Sequence, residues 1–212
     1  MTKKIAIVGS GKLSEKFLKG IKQADSIIGV DRGAAWLLSH NIIPHVAVGD
    51  FDSVTKKEFQ LIEKKVQQVI KQPPYPKYET DMELAVQHAL KQNPNQVAIY
   101  GATGTRIDHM LGSLYLLEQF LKTSIDARIV DETNEIILVS GRRTLKKVKG
   151  YRYVSVLPFT KSAIVTLRGF LYEVDSLTTH QGQTVGISNE IPGIEATIEV
   201  HEGIVWVIQS KD

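Results

Sequence analysis

Lys4-Ile5-Ala6-Ile7-Val8 is a β-branched apolar run that stops at Gly9. The same construction recurs along the chain: 27–30 stops at Asp31, 46–48 at Gly49, 97–100 at Gly101 and 127–130 at Asp131, with 66–70 as a further candidate. Short continuous apolar runs of this kind are strands with both faces covered, as in a parallel sheet. Between them apolar residues recur at helical spacing over residues 12–23, 33–40, 55–65, 80–92 and 107–122. Strand and helix in alternation predict an α/β domain built on a parallel sheet. The best-marked helix start is Thr80-Asp81-Met82-Glu83, a Thr-x-x-Glu capping box ahead of an apolar stripe at Leu84, Ala85, Ala89 and Leu90.

The period changes beyond residue 140. Ile194, Ala196, Ile198 and Val200 alternate with Glu195, Thr197, Glu199 and His201, the pattern of a strand with one face buried and one wet. Residues 164–167 and 204–208 also read as strands, and Gly182, Gly186, Gly193 and Gly203 punctuate the segment. No helix-length pattern occurs there. Two domains are therefore expected, an α/β domain over 1–140 and a small antiparallel sandwich or barrel over 141–212. Pro73-Pro74-Tyr75-Pro76 reads as a stiff extended loop.

Composition narrows the function classes. A chain of 212 residues with 42% apolar and 23% charged residues is an ordinary globular protein. Its 26 basic and 23 acidic residues are interspersed and leave a formal charge of +3, which argues against a nucleic-acid partner. The basic stretch at 142–149 reads as a solvated turn. Cysteine is absent, so disulfides, thiolate metal sites and cysteine nucleophiles are excluded. No apolar run has the length of a membrane span or of a signal peptide, and a cytoplasmic protein with no membrane partner is expected.

In an open parallel sheet ligands bind outside the carboxyl ends of the strands. The segments that follow the expected strands are Gly9-Ser10-Gly11-Lys12, Asp31-Arg32-Gly33, Gly49-Asp50-Phe51-Asp52-Ser53, the approach to Thr80-Asp81, and the stretch from Gly101 to His109. Asp50 and Asp52, two apart in an extended stretch, would point the same way. Paired carboxylates favour a hard cation such as magnesium, shared with substrate phosphates. Asp81, in the first turn of its helix, or Asp108 completes such a site. Arg106 offers a planar fork to phosphate, and Gly101 and Gly104 let backbone approach phosphate oxygens. Taken singly, Asp81 reads as a helix-dipole partner, Asp50 to Asp52 as a turn with Phe51 in the core, and Arg106, Asp108 and His109 as surface residues. Their placement at one edge points to a site. Gly9-Ser10-Gly11-Lys12 lacks the spacing of a P-loop and, with Ser14, the third glycine of a dinucleotide fingerprint. Gly186-Ile187-Ser188 is no nucleophile elbow.

The ordered set resembles the thiamin pyrophosphokinase family over nearly the whole chain. The resemblance is carried by Asp31-Arg32-Gly33-Ala34, by Gly49-Asp50-Phe51-Asp52-Ser53, by Thr80-Asp81 and Glu83 within 77–83, and by 101–109. It continues in Ser188-Asn189-Glu190 and in 203–208. Thr105, Ser113 and Tyr78 depart from it at the nucleotide site. The resemblance implies a Rossmann-like parallel α/β domain followed by a C-terminal antiparallel β-sandwich, working as a homodimer. It implies pyrophosphate transfer from ATP to the thiamin hydroxyl with Mg2+, and Asp50, Asp52 and Asp81 as metal and catalytic carboxylates. Asp31, Arg32, Lys77, Thr80, Gly101, Gly104, Arg106 and Asp108 would serve ATP. Ser188 and Asn189 would hold thiamin's aminopyrimidine, and Trp206 either stacks on thiamin or packs in the core. The rival expectations are a magnesium-dependent nucleotide or diphosphate hydrolase and a non-catalytic nucleotide or thiamin sensor.

Overall fold

The computed structural model describes residues 2–72 and 79–212. The chain is a mixed α/β protein that divides into two compact units, Met1–Glu132 and Thr133–Asp212. The Pro-rich segment 73–76, Lys77 and Tyr78 lie outside the described residues.

The first unit runs β1 (Lys4–Val8), a 3-10 turn (Glu15–Phe17), α1 (Leu18–Lys22), β2 (Ser26–Val30), α2 (Arg32–Ser39), β3 (Val46–Gly49) and α3 (Lys56–Lys65). It continues with β4 (Gln68–Lys71), α4 (Asp81–Lys91), β5 (Gln96–Tyr100), α5 (Ile107–Tyr115), α6 (Leu117–Leu121) and β6 (Asp126–Val130). The strands lie in the order β6-β5-β1-β2-β3-β4, and each neighbouring pair is parallel. β2 and β3 are buried throughout and β1 is buried beyond Lys4, which is why these segments read as unbroken apolar runs. One core cluster gathers Ala6, Val8, Phe17, Ile21 and Tyr100, and another Ala34, Leu38, Ala47, Phe51 and Ile62. The chain travels outward from β1 to β4 and then returns to the other side of β1 for β5 and β6. In open α/β sheets such a reversal marks where ligands bind, outside the carboxyl ends of the strands on either side of it, here β1 and β5.

Two local expectations are revised. The helix expected over 107–122 is two, because Leu116 at φ −62° and ψ −20° tightens the turn and Gln119 N–H bonds back to the Leu116 carbonyl. The buried face changes there: Ile107, Leu111 and Tyr115 are exposed, whereas Leu117 and Phe120 are buried. At α4 the Thr80 hydroxyl accepts from Glu83 N–H at 3.2 Å, while the Glu83 carboxylate accepts from Gln119 at 3.5 Å. The reciprocal capping box is at α3, between Thr55 and Glu58.

The second unit holds β7 (Asn134–Lys146), β8 (Tyr153–Pro158), β9 (Ser162–Arg168), β10 (Val174–His180), β11 (Asn189–Glu190) and β12 (Glu195–Ser210), and its pairings are antiparallel. β12 pairs with β7 along most of its length; on its other side its first half pairs with β9 and its second half with β8. The register shifts between Val200 and Val205, where Gly141 and Gly203 take φ of 73° and 80°. Residues from both halves of β12, Ala196, Ile198 and Val200 from the first and Val205 and Val207 from the second, share one core cluster with Ile137, Val154, Val165 and Phe170. Ile194 departs from its expected buried face and is 85% exposed, because it lies in the turn before β12. β7 spans residue 140, and the two compact units divide between Glu132 and Thr133. Among the described residues no helix is long and apolar enough to cross a membrane.

Candidate functional site

The chemistry of the first unit gathers where β2 and β3 end. Asp31 follows β2 with φ 45°, a conformation that costs a non-glycine residue about 1–3 kcal/mol. Two contacts hold it there. Asp31 N–H donates to the Val48 carbonyl at 3.0 Å, and its Oδ1 accepts from Phe51 N–H at 3.1 Å. Gly49 makes room, since a Cβ at that position would collide with the Asp31 carboxylate. Asp50 follows on the same turn. Asp81 enters from the first turn of α4, whose start is fixed by the Thr80 cap. One carboxylate oxygen each from Asp31, Asp50 and Asp81 lies within 4.8 Å of the others, and all three residues are half-buried.

Three carboxylates this close repel one another unless a cation lies between them. The donors are oxygen only, which suits a hard divalent ion and not a soft one. The residues therefore fit magnesium.

This group differs from the expected Asp50, Asp52 and Asp81. Phe51 has φ 60°, is 6% exposed and packs on Phe59 with ring centroids 5.0 Å apart. Residues 50–52 are thus a turn built around a buried ring and not an extended stretch, and the same-side argument for Asp50 and Asp52 fails. Asp52 is exposed and donates its N–H to Asp50 Oδ1 at 3.2 Å. Asp31, expected at the nucleotide, takes its place in the group. Its sequence signal is its position directly after β2, the strand next to the one that Asp50 follows.

Where the strand order reverses, the loops after β1 and β5 interlock. Gly9 N–H bonds to the Tyr100 carbonyl at 2.8 Å, Gly11 N–H to Gly101 at 2.8 Å and Lys12 N–H to Thr103 at 2.7 Å. Gly101 takes φ 65°, and a Cβ on it would lie 2.6 Å from the Gly9 carbonyl. Gly104 sits beside Gly11. Glu132, which sequence reasoning missed, pins the first loop: it accepts from Ser14 at 3.1 Å and pairs with Lys12 at 3.1 Å and Lys16 at 3.2 Å. Hydrogen bonds from Lys12 and Lys16 hold its carboxyl down to about 2. Arg32 is exposed at the start of α2. Arg106 precedes α5 and forks onto Asp108 at 3.2 and 2.6 Å. That hydrogen bonding lowers the Asp108 carboxyl to about 2 and raises the Arg106 guanidinium.

The other expected residues lie in the second unit. Ser188, at φ 59°, is exposed and donates its N–H to Ser155 Oγ at 3.1 Å. Asn189 is 5% exposed, and its carboxamide is bonded to the backbone of Tyr172. Trp206 is half-buried and meets Phe159 edge-on, with centroids 5.1 Å apart. Its neighbours Val205 and Val207 belong to the core cluster and Trp206 does not.

Comparison with known proteins shows what the chain is similar to. Residues 17–129 match the family described as thiamin pyrophosphokinase, catalytic domain, and residues 142–205 match thiamin pyrophosphokinase, vitamin B1 binding domain. The chain is 38% identical over 187 residues to a thiamine pyrophosphokinase of Bacillus subtilis (strain 168), covering 87% of each. It is similar to the crystal structure of thiamine pyrophosphokinase from Bacillus subtilis, with TM-score 0.91, 35% identity and coverage of 99% of this chain and 100% of that one. The thiamin pyrophosphokinase of Geobacillus thermodenitrificans matches with TM-score 0.88 and 32% identity, over 99% of this chain and 98% of that one.

Proposed function

The chain belongs to the thiamin pyrophosphokinase family, and from that premise we propose how its residues move pyrophosphate from ATP to the thiamin hydroxyl, yielding thiamin diphosphate and AMP. The observation that carries the proposal is the convergence of Asp31, Asp50 and Asp81 within the unit matched by the catalytic-domain model. These three would hold magnesium, which would supply positive charge to offset that of the phosphates.

The thiamin oxygen forms a bond to the β-phosphorus, the bond from that phosphorus to the α,β-bridging oxygen breaks, and AMP leaves. Positioning matters more here than covalent chemistry by the protein. With Asp31, Asp50 and Asp81 taken up as ligands, Asp52 is the exposed carboxylate left to accept the hydroxyl proton. Arg106 turns from Asp108 to the phosphates, and Gly101 and Gly104 admit them close to backbone. Thr80 fixes the start of α4, Arg32 adds positive charge, and Lys77 is assigned to phosphate by the family resemblance alone. Ser188, Asn189 and Trp206 serve thiamin from the unit matched by the vitamin B1 binding model.

The finer architecture belongs to the same proposal. The six parallel strands with their reversal at β1 support a Rossmann-like reading, and the core shared by both halves of β12 supports a β-sandwich. We assign a homodimer working in the cytoplasm. Omission assays test the function: AMP and thiamin diphosphate should form together, and neither without thiamin or magnesium. AMP released without thiamin would instead identify a hydrolase, and binding of both ligands without product a sensor.

A further inference from the structure

Asn189 is a buried polar residue whose bonds are nearly all spent inside the protein. Its Oδ1 accepts from Tyr172 N–H at 3.0 Å and from Glu190 N–H at 2.9 Å. Its Nδ2 donates to the Tyr172 carbonyl at 2.7 Å. A carboxamide has two acceptor sites and two donor hydrogens, so both acceptor sites are used and one N–H remains. An aminopyrimidine edge asks its partner for a donor and an acceptor together. Asn189 cannot supply that pair without releasing Tyr172.

The segment that Asn189 grips is the loop between β9 and β10, and it is fixed at several points. Phe170 is 4% exposed in the core. Leu171 N–H bonds to the Glu190 carbonyl at 2.8 Å, and Gly169 N–H bonds to the Glu173 carboxylate at 2.6 Å. The Asn189 side is equally fixed. β11 pairs with β8, and Val156 N–H bonds to the Gly186 carbonyl at 2.8 Å. On this anchored loop the Tyr172 side chain is left outside: the residue is 66% exposed. A backbone held at several points and carrying an exposed aromatic residue is the construction of a presented recognition residue rather than of a core element.

We propose that Asn189 is a positioning residue that acts through Tyr172: it fixes the β9–β10 loop so that the Tyr172 ring provides an aromatic surface for the flat cationic acceptor. The attraction of a cation to an aromatic face supplies the affinity, and the Asn189 bonds remove the entropy cost of ordering the loop on binding. This rests on the thiamin pyrophosphokinase reading of the site.

Steady-state kinetics on the full-length protein with ATP, magnesium and thiamin test it. Y172A should raise KM for thiamin about tenfold, with KM for ATP unchanged and kcat little affected, and Y172F should restore the wild-type value. N189A should raise the thiamin KM similarly. The double variant should be no worse than the more impaired single variant, because the two residues act through one ring. Tyr172 is exposed, so its variants keep the proposal testable even where N189A fails to fold. A normal thiamin KM in Y172A, or independent multiplication of the two effects, overturns the proposal while wild-type activity leaves the family reading standing. A wild-type protein that makes no thiamin diphosphate overturns the reading beneath it.

Discussion

Asp31 is held in a costly backbone conformation by Val48 and Phe51, and Gly49 yields the space its carboxylate occupies. Strain maintained by its surroundings at a charged residue is what a built ion site requires. D31N and D50N should each lower turnover more than about a hundredfold, and G49A should do the same by displacing Asp31. Magnesium should raise the melting temperature of the wild-type protein and lose that effect in all three variants; a retained shift would mean that the ion binds elsewhere. Asp108 gives a pH-dependent test. Its carboxyl is lowered to about 2 by Arg106, so this pairing is present above the ordinary carboxylate value of about 3.9 and is lost as pH falls through about 2. An NMR titration should show that low midpoint return toward about 3.9 in R106M. ATP should also raise it, because the guanidinium is drawn to phosphate. A midpoint indifferent to ATP would keep Arg106 out of the nucleotide site.

The elements were legible where burial is local in sequence. β1, β2 and β3 show themselves as apolar runs because their burial leaves no alternation to read. The loops that carry chemistry followed from where those runs stop. At 50–52 the sequence offered both an extended pair and a turn with Phe51 in the core; what decides for the turn, the pocket that the Phe51 ring fills against Phe59, is a contact made by folding. The role of Asn189 was not legible, since its partner Tyr172 is brought to it only by β9, β10 and β11. The break at Leu116 likewise follows from which residues find a core. Helix caps are readable and measurable. The Thr55 hydroxyl and the Glu58 carboxylate cap α3 reciprocally, and T55A should cost about 1 kcal/mol. Denaturant unfolding checks this, with kcat unchanged; a loss well below that value would mean that the box contributes little.

At the scale of the whole chain, the proposed function divides the labour of two compact units between nucleotide and acceptor. Hydrogen exchange should show ATP with magnesium protecting the loops at 9–12 and 101–106, and thiamin protecting 169–173 and 186–190. Protection by thiamin confined to the first unit would contradict the division. The change of period in the sequence lies beyond residue 140, and the two compact units divide after Glu132; the apolar run within β7 gives no sequence signal of that division.

The most direct measurement follows the transferred group itself. ATP labelled at both its β- and γ-phosphorus is incubated with protein, magnesium and thiamin, and the label is traced. Thiamin diphosphate carrying both labels, with an equal amount of AMP, is the expected result. Thiamin monophosphate with ADP, or labelled inorganic diphosphate with AMP, would contradict pyrophosphate transfer.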